Sequence, residues 1–194
     1  AKATEKLAAY CDVITFENEF IDLKALTSVA NKGVQFYPSL ESLSPLLDKY
    51  EQVSCLQKIG IPVPQFTAVD LTEKIEIDFN FPIVVKARRN GYDGRGTWIV
   101  EDQEALQDLS KRLEGIEIFI QEFIPFEREV AVMAARNVTG EIIVYPVVET
   151  QQQHQVCHTV IVPADIPKEI GLQIEAIARQ IMEKLNVVGI FGVE

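Results

Sequence analysis

Residues Phe81–Thr97, with the sequence FPIVVKARRNGYDGRGT, hold the side chains best suited to chemistry in this chain. A β-branched apolar run, typical of a buried strand, leads to Lys86, and two arginines and the glycines Gly91, Gly94 and Gly96 follow. An ammonium group at the end of such a strand favours an anionic partner, because desolvating a free charge is costly. Glycines let backbone N–H groups approach a ligand closely. The combination suits a polyphosphate.

A simpler interpretation of the same residues is a β-hairpin with an exposed basic turn. The lysine lies in the strand rather than at the tip, and the loop has more glycine than a tight turn needs. The segment is not a Walker A loop, because no Gly-Lys-Ser/Thr ends it. It is not a dinucleotide-binding fingerprint either, because the strand-like Thr97–Val100 follows instead of a helix.

Acidic side chains supply a second group of candidates. Glu122, Glu127 and Glu129 surround a predicted strand–turn–strand, where Glu129 could accept hydrogen bonds from a ribose; solvated surface charges are the alternative. Glu194 follows an apolar strand and could ligate Mg²⁺, which takes few carboxylates together with phosphate oxygens. His154 and His158 lie in a strand-like segment, so they do not form a helical zinc pair.

Composition excludes several functional classes. The net charge of −11 argues against a general nucleic-acid binder, although Lys86, Arg88, Arg89 and Arg95 form a local basic patch. No apolar run is long enough to span a membrane, and the first residues do not resemble a secretory signal. Three widely spaced cysteines, without a C-x-x-C pair, indicate a reduced cytoplasmic protein and are expected to be core or functionally neutral residues.

The pattern of elements predicts a βα start followed by an α+β arrangement, with a boundary near residues 61–65. Asp102 is the expected N-cap of a helix that ends near Leu113, and Pro167 opens a helix that ends near Leu185. The predicted strands are 11–16, 34–37, 66–69, 81–88, 97–100, 116–123, 129–136, 142–148, 156–162 and 187–193. Further helices are expected over 21–31 and 39–59, the second interrupted at Pro45.

Four segments in order, VVKARRNGYDGRGTWIV, IQEFIPFEREVAV, YPVVETQQQHQVCHTVIVPA and GIFGVE, resemble the ATP-grasp enzymes of purine biosynthesis. The likeness is strongest to those that carboxylate 5-aminoimidazole ribonucleotide, and it extends over essentially the whole chain. It implies an ATP-grasp fold, ATP and Mg²⁺ as cofactors, bicarbonate and the imidazole nucleotide as substrates, and a homodimer. The implied reaction runs through carboxyphosphate and yields 5-(carboxyamino)imidazole ribonucleotide, ADP and phosphate.

The resemblance also implies roles for individual positions. Lys86 matches a lysine on the ATP phosphates, and Gly91–Thr97 match the loop that covers them. Gln121–Ile124 match a hinge that reads the adenine, and Glu129 matches a carboxylate on the ribose. Glu194 matches the first of two magnesium glutamates.

Four more positions follow from the same resemblance. Lys49 falls where many relatives have an arginine that contacts ATP, which keeps the charge but loses the bidentate geometry. Tyr92 and Arg95 match residues that face bicarbonate or the imidazole nucleotide, and Gln152 stands where some relatives have a histidine. The implied sites are catalytic residues Lys86, Tyr92 and Arg95; ATP-binding residues Lys49, Lys86, Gly91, Tyr92, Asp93, Gly94, Arg95, Gly96, Thr97, Gln121, Glu122, Phe123, Ile124, Glu129 and Gln152; and the metal ligand Glu194.

The resemblance further implies a longer protein. Family members have an amino-terminal glycine-rich strand–turn–helix and, after the position of Glu194, an Asn-Glu strand and a small domain. We therefore expect residues 1–62 to be the remnant of an amino-terminal domain, 63–124 a small lid subdomain, and 125–194 the start of a larger subdomain. By themselves these residues are expected to bind ATP weakly and to turn over little.

Two other functions fit the sequence. One is a different ATP-grasp carboxylase or ligase, such as a formate-using transformylase or a biotin carboxylase. The other is a nucleotide-binding or scaffold module that keeps the fold and has lost catalysis.

Overall fold

The computed structural model describes residues 2–18, 20–70, 75, 77–91 and 94–194. Its helices are α1 (Lys2–Ala8), α2 (Leu23–Ala30), α3 (Leu40–Leu43), α4 (Lys49–Lys58), α5 (Gln103–Arg112) and α6 (Lys168–Lys184), with a 3₁₀ turn at Ser44–Leu47. Its strands are β1 (Val13–Ile14), β2 (Gln35–Phe36), β3 (Phe66–Ala68), β4 (Ile83–Ala87), β5 (Thr97–Val100), β6 (Ile118–Glu122), β7 (Glu129–Arg136), β8 (Ile142–Val144), β9 (Val148–Gln153), β10 (Val156–Ile161) and β11 (Gly189–Val193). The predicted α+β class is confirmed.

The described part of the chain forms two compact units. The first unit contains the residues up to 47, residues 128–151 and residues 157–194. The second unit contains residues 48–127 together with the short segment 152–156. The boundaries expected near residues 62 and 124 stay predictions.

The first unit has a parallel pair, β1 and β2, and a larger sheet in the order β10–β9–β7–β11, with β8 also paired to β7. Alternate residues of β7, Val132 and Ala134, pack against Ala178 and Met182 of α6. The sheet is therefore held by one long amphipathic helix. The turn between β9 and β10 has positive φ at His154 (53°) and Gln155 (63°), the combination of a two-residue hairpin turn.

The second unit is built on an antiparallel sheet in the order β3–β6–β4–β5. Ile83, Val85 and Ile120 point to one face and join the buried stripe of α5, whose Leu106 is 1% exposed. Asp102 caps α5 by accepting a hydrogen bond from the N–H of Ala105 at 2.8 Å, as predicted. This core fixes the opposite face of the sheet, which carries the candidate site.

The structure differs from the sequence predictions in one strand, one helix and the exposure of the cysteines. The single strand predicted over residues 142–148 is divided in the structure. Strand β8 ends at Val144 and strand β9 begins at Val148, because Pro146 between them cannot continue the hydrogen-bonded ladder. Helix α1 was not predicted, and it buries none of its residues, so it has no apolar stripe to detect. Of the two alternatives for the cysteines, a core position is wrong for Cys11 and Cys157, which are exposed, while Cys55 is partly buried.

None of the described helices combines the length and the apolar character that crossing a bilayer requires.

Candidate functional site

One face of the second unit's sheet collects several predicted site residues. In the register of the sheet, Lys86 stands opposite Thr97 of β5 and opposite Phe119 of β6, while Val84 stands opposite Gln121. Directly opposed residues share a face, and alternate residues along β4 return to it, so Lys86, Thr97 and Gln121 lie on the face away from α5. The strand geometry thus groups a predicted phosphate ligand with the start of the predicted adenine hinge.

Lys49 joins this face from the first position of α4. Its backbone N–H donates to the carbonyl of Arg88 at 2.8 Å, which ties the start of α4 to the residue after β4. A Cβ built on Gly91 would stand 3.0 Å from the Nζ atom of Lys49, so this ammonium reaches the glycine loop. The structure brings together Lys49, Lys86 and the start of the loop, as expected for a shared anion site.

The two ammonium groups are close enough to repel each other. Burial, and then the charge of Lys49, hold the pKa of Lys86 below its usual 10.5. In the described part of the chain, no carboxylate forms an ion pair with either lysine. A polyanion would stabilise two partly desolvated like charges without a carboxylate, and the predicted phosphate role of Lys86 is consistent with this arrangement.

The glycine loop has no room for side chains where it folds back. A Cβ on Gly91 would lie 2.7 Å from the carbonyl oxygen of Arg95, so the loop crosses itself closely there. Gly94, with φ +72°, lies against Gln155 of the β9–β10 turn. Strands β4 and β5 form the antiparallel hairpin of the simpler interpretation, but the described glycines between them, Gly91, Gly94 and Gly96, are closely packed.

Two of the four residues of the predicted basic patch have carboxylate partners. Arg88 and Arg89 both pair with Asp48, at 2.9 Å and 3.3 Å, and Arg88 also pairs with Glu51 at 3.4 Å. These partners lie about forty residues earlier in the chain, so the local run of basic residues concealed them. The charge of the patch is therefore partly offset by carboxylates, although the side chain of Arg89 stays 54% exposed.

The predicted adenine hinge begins inside the sheet and ends outside it. Gln121 is buried, and Ile124 is exposed. Glu122 is fixed by two hydrogen bonds to Gln65: its backbone N–H donates to the Gln65 carbonyl at 2.8 Å, and its Oε2 accepts from the Gln65 N–H at 3.2 Å. Phe123, the residue after Glu122, is half-buried. Beyond the strand, the carbonyl of Ile124 accepts a hydrogen bond from the N–H of Phe126 at 2.9 Å. The contact of this segment with adenine stays a prediction.

Two predicted acidic ligands belong to the first unit. Glu129 opens β7 opposite Thr150 and is half-buried, next to Arg128, which pairs with Glu149 at 3.2 Å. Glu194 is exposed and directly follows β11. Across the described residues, no three His, Cys, Asp or Glu side chains cluster as a metal site.

The remaining predicted residues lie in three different parts of the chain. Gln152 is exposed on β9. Arg95, Gly96 and Thr97 lead from the loop into β5, and Gly96 accepts a hydrogen bond from the N–H of Ala87 at 2.7 Å. Tyr92 and Asp93 lie outside the described residues, so their roles stay predictions.

Asp48 and Gln155 contact the site and were not identified from the sequence. For Asp48 a signal was available, since an aspartate followed three residues later by glutamate is typical of a helix N-terminus. For Gln155 there was none, because its contact with Gly94 joins two distant loops.

Comparison with known proteins identifies the family and the fold of the chain. The ATP-grasp domain family matches residues 54–194. The N5-carboxyaminoimidazole ribonucleotide synthase of Synechococcus elongatus is 45% identical to this chain over an alignment of 197 residues. The alignment covers 100% of this chain and 50% of that protein. The chain thus spans about half the length of that relative.

Solved structures have the same fold. The carboxyaminoimidazole ribonucleotide synthase of Aspergillus clavatus, complexed with ATP, has a TM-score of 0.90 and 29% identity, over 99% of this chain and 51% of that one. The enzyme of the same organism in complex with ADP and 5-aminoimidazole ribonucleotide has a TM-score of 0.87 and 28% identity, with the same coverage. The expected ATP-grasp fold is confirmed, and this chain belongs to the ATP-grasp family.

Proposed function

We propose that this chain is the ATP-binding part of an enzyme that carboxylates 5-aminoimidazole ribonucleotide. The observation that supports this most directly is the pair formed by Lys49 and Lys86 beside the glycine loop: two ammonium groups without a carboxylate partner in the described structure. Relatives named as N5-carboxyaminoimidazole ribonucleotide synthases support the choice of substrate.

The proposed reaction has two transfers. An oxygen of bicarbonate attacks the γ-phosphorus of ATP, the bond to the bridging oxygen breaks, and ADP leaves. The exocyclic amine of 5-aminoimidazole ribonucleotide then attacks the carbon of carboxyphosphate, or of the CO₂ that it releases, and phosphate and a proton depart. The product is 5-(carboxyamino)imidazole ribonucleotide.

The protein contributes position and charge to the first transfer. Lys86 and Lys49 bind the phosphate oxygens and offset the negative charge of the transferring group. The N–H groups of the glycine loop cover the phosphates and exclude water from carboxyphosphate. Arg95 and Tyr92 are proposed to face bicarbonate or the imidazole nucleotide, and Gln152 to lie near the ATP.

Recognition of the nucleoside is assigned to the strand ends. The backbone after Gln121, including Glu122, Phe123 and Ile124, is proposed to read the adenine edge, and Glu129 to accept from the ribose. Glu194 fits a Mg²⁺ ligand, because this ion is commonly held by one or two carboxylates together with phosphate oxygens. When bound, Mg²⁺ neutralises phosphate charge. A homodimer and a cytoplasmic location stay predictions.

Substitution of Lys86 tests the proposal. In the complete protein, Lys86→Ala is expected to weaken Mg-ATP binding by roughly ten-fold or more, since a charged hydrogen bond is lost. Lys111→Ala is the matched control, because Lys111 is an exposed lysine paired with Asp108 on α5. Calorimetric titration gives both dissociation constants, and equal affinities in the two variants would contradict the proposed phosphate site.

Product analysis tests the reaction. Labelled bicarbonate is expected to enter a carbamate on the imidazole nucleotide, in parallel with ADP formation. Incorporation of labelled formate instead, or labelling of biotin, would assign the chain to another ATP-grasp enzyme. Binding of ATP without any turnover in the complete protein would favour a non-catalytic module.

A further inference from the structure

Asp48 is the most completely buried charged side chain in the described structure, with 1% of its surface exposed. Its carboxylate accepts hydrogen bonds from the backbone N–H groups of Tyr50 (3.0 Å) and Glu51 (3.2 Å), which cap α4. It also accepts from Nε of Arg88, at 3.1 Å to both oxygens, and pairs with Nη2 of Arg88 at 2.9 Å. One carboxylate thus holds a helix start and a strand end at once.

The partners of Asp48 are themselves immobilised. The guanidinium of Arg88 lies over the ring of Tyr50, 5.1 Å from its centroid, and that ring makes edge contacts with Phe66 and Phe119 of the sheet. The Arg88 carbonyl accepts the N–H of Lys49. Arg88 is therefore bound on both its side chain and its backbone to the first turn of α4.

Lys49 is the residue that this arrangement places. It directly follows Asp48, its N–H is bound to Arg88, and its ammonium reaches Gly91 of the glycine loop. We propose that Asp48, acting through Arg88, is a positioning residue that fixes Lys49 for contact with the nucleotide phosphates. The inference rests on the proposed function, because it assigns a purpose to Lys49 within that same site.

The charge of Asp48 distinguishes positioning from simple capping. An amide side chain accepts the hydrogen bonds of Tyr50 and Glu51 as a carboxylate does, so a cap alone does not require the charge. The bidentate contact with Arg88 does require it, since that contact joins two ionised groups. Replacement by asparagine therefore preserves the helix start and weakens the tie to β4.

A double-mutant cycle on Mg-ATP affinity tests the inference in the complete protein. Asp48→Asn and Lys49→Ala are each expected to raise the dissociation constant roughly ten-fold, the loss of one charged contact. If Asp48 acts through Lys49, the double variant binds no more weakly than Lys49→Ala alone. Additive losses in a folded double variant, or unchanged affinity in Asp48→Asn, would overturn the inference.

Two further variants make the cycle specific. Arg88→Lys keeps the charge and loses the bidentate geometry, so it is expected to reproduce Asp48→Asn and serves in its place if that variant does not fold. Glu51→Gln removes the exposed partner of Arg88 and is expected to leave affinity unchanged. If Lys49→Ala and Lys86→Ala both bind Mg-ATP normally, the proposed function fails before the role of Asp48 is reached.

Discussion

Gln155 stands directly over Gly94: a Cβ added to Gly94 would overlap with both the Cβ and the Oε1 atoms of Gln155. Both residues have positive φ, 72° and 63°, so two tight turns meet at this point. The contact joins the glycine loop to the tip of the β9–β10 hairpin. The position of the glycine loop therefore depends on the β9–β10 turn, which lies far from it in the sequence.

Gly94→Ala is expected to weaken Mg-ATP binding several-fold, because the new methyl group displaces the loop from Gln155. Gly115→Ala is the matched control, since Gly115 has a similar φ of +79° with open space around it. Each substitution costs about 1–2 kcal/mol of backbone strain, but only the first has a steric conflict. Calorimetry and thermal unfolding separate the two effects.

Adding Gln155→Gly to Gly94→Ala is expected to restore part of the affinity, because the conflicting side chain is gone. Identical affinities in Gly94→Ala and Gly115→Ala would show that the contact with Gln155 does not influence the site.

The pH dependence of ATP binding should report Lys86. Phosphate binding favours the protonated amine and raises its lowered pKa, so binding is expected to take up protons in the alkaline range. Affinity is constant below the lowered pKa and declines as pH rises through it towards 10.5. Titrations in buffers of different ionisation enthalpy measure the uptake.

The stability of the free protein should change in the opposite sense. Because the folded state disfavours the charged form of Lys86, the cost of that charge is relieved as pH rises through the lowered pKa. Lys86→Met should remove both effects, and persistence of the alkaline decline in that variant would assign it to another group.

Asp48 should contribute to acid stability. Burial raises its pKa, but the Arg88 hydrogen bond, the Arg88 charge and the amides of Glu51 and Tyr50 outweigh burial and hold the pKa below 3.8. Its stabilisation is therefore complete above 3.8 and is lost as pH falls through the lowered pKa. Asp48→Ala is expected to reduce the free energy of unfolding by about 3 kcal/mol at neutral pH, since it leaves Arg88 unpaired.

Urea unfolding at neutral pH and below 3.8 measures the Asp48 effect, which should shrink on acidification. Asp108→Ala is the control, because Asp108 also has a lowered pKa through Lys111 but is exposed. A loss for Asp48→Ala that is independent of pH would indicate packing rather than charge.

Glu194→Gln should affect only the part of the ATP affinity that depends on Mg²⁺. Without Mg²⁺ the variant is expected to bind ATP as the unaltered protein does, and with Mg²⁺ the tightening should be reduced. Glu183→Gln, an exposed carboxylate near the end of α6, is the control. Full magnesium tightening in Glu194→Gln would remove this residue from the proposed metal site.

The sequence predicted local structure well where one element determines its own pattern. Strands β5 and β7 have the predicted bounds, and α5 starts from its Asp102 cap. Lys86 was selected as a candidate because an ammonium group ends an apolar run. These features depend on the order of neighbouring residues, which the sequence displays directly.

Contacts between distant segments could not be predicted in this way. Arg88 and Arg89 were expected to serve an anion, and their actual partner, Asp48, lies in another element. Gln155 is a glutamine at a conformation that favours glycine, and nothing local indicates that it meets Gly94. For Glu129 and Glu194, local sequence offered candidate roles but did not separate them from surface charges, and the resemblance supplied the specific assignments.

The deep burial of strand β6 limits how the proposed base-reading segment can be engineered. Its residues Ile118, Phe119 and Ile120 are among the least exposed in the second unit, and Gln121 continues the same strand into the proposed base-reading segment. Hydrophobic packing thus depends on the same strand, Ile118–Glu122, that leads into the proposed base-reading segment. A library that randomises this strand to accept guanine will lose members to misfolding, so variation should begin at Phe123 and Ile124, beyond the last paired residue.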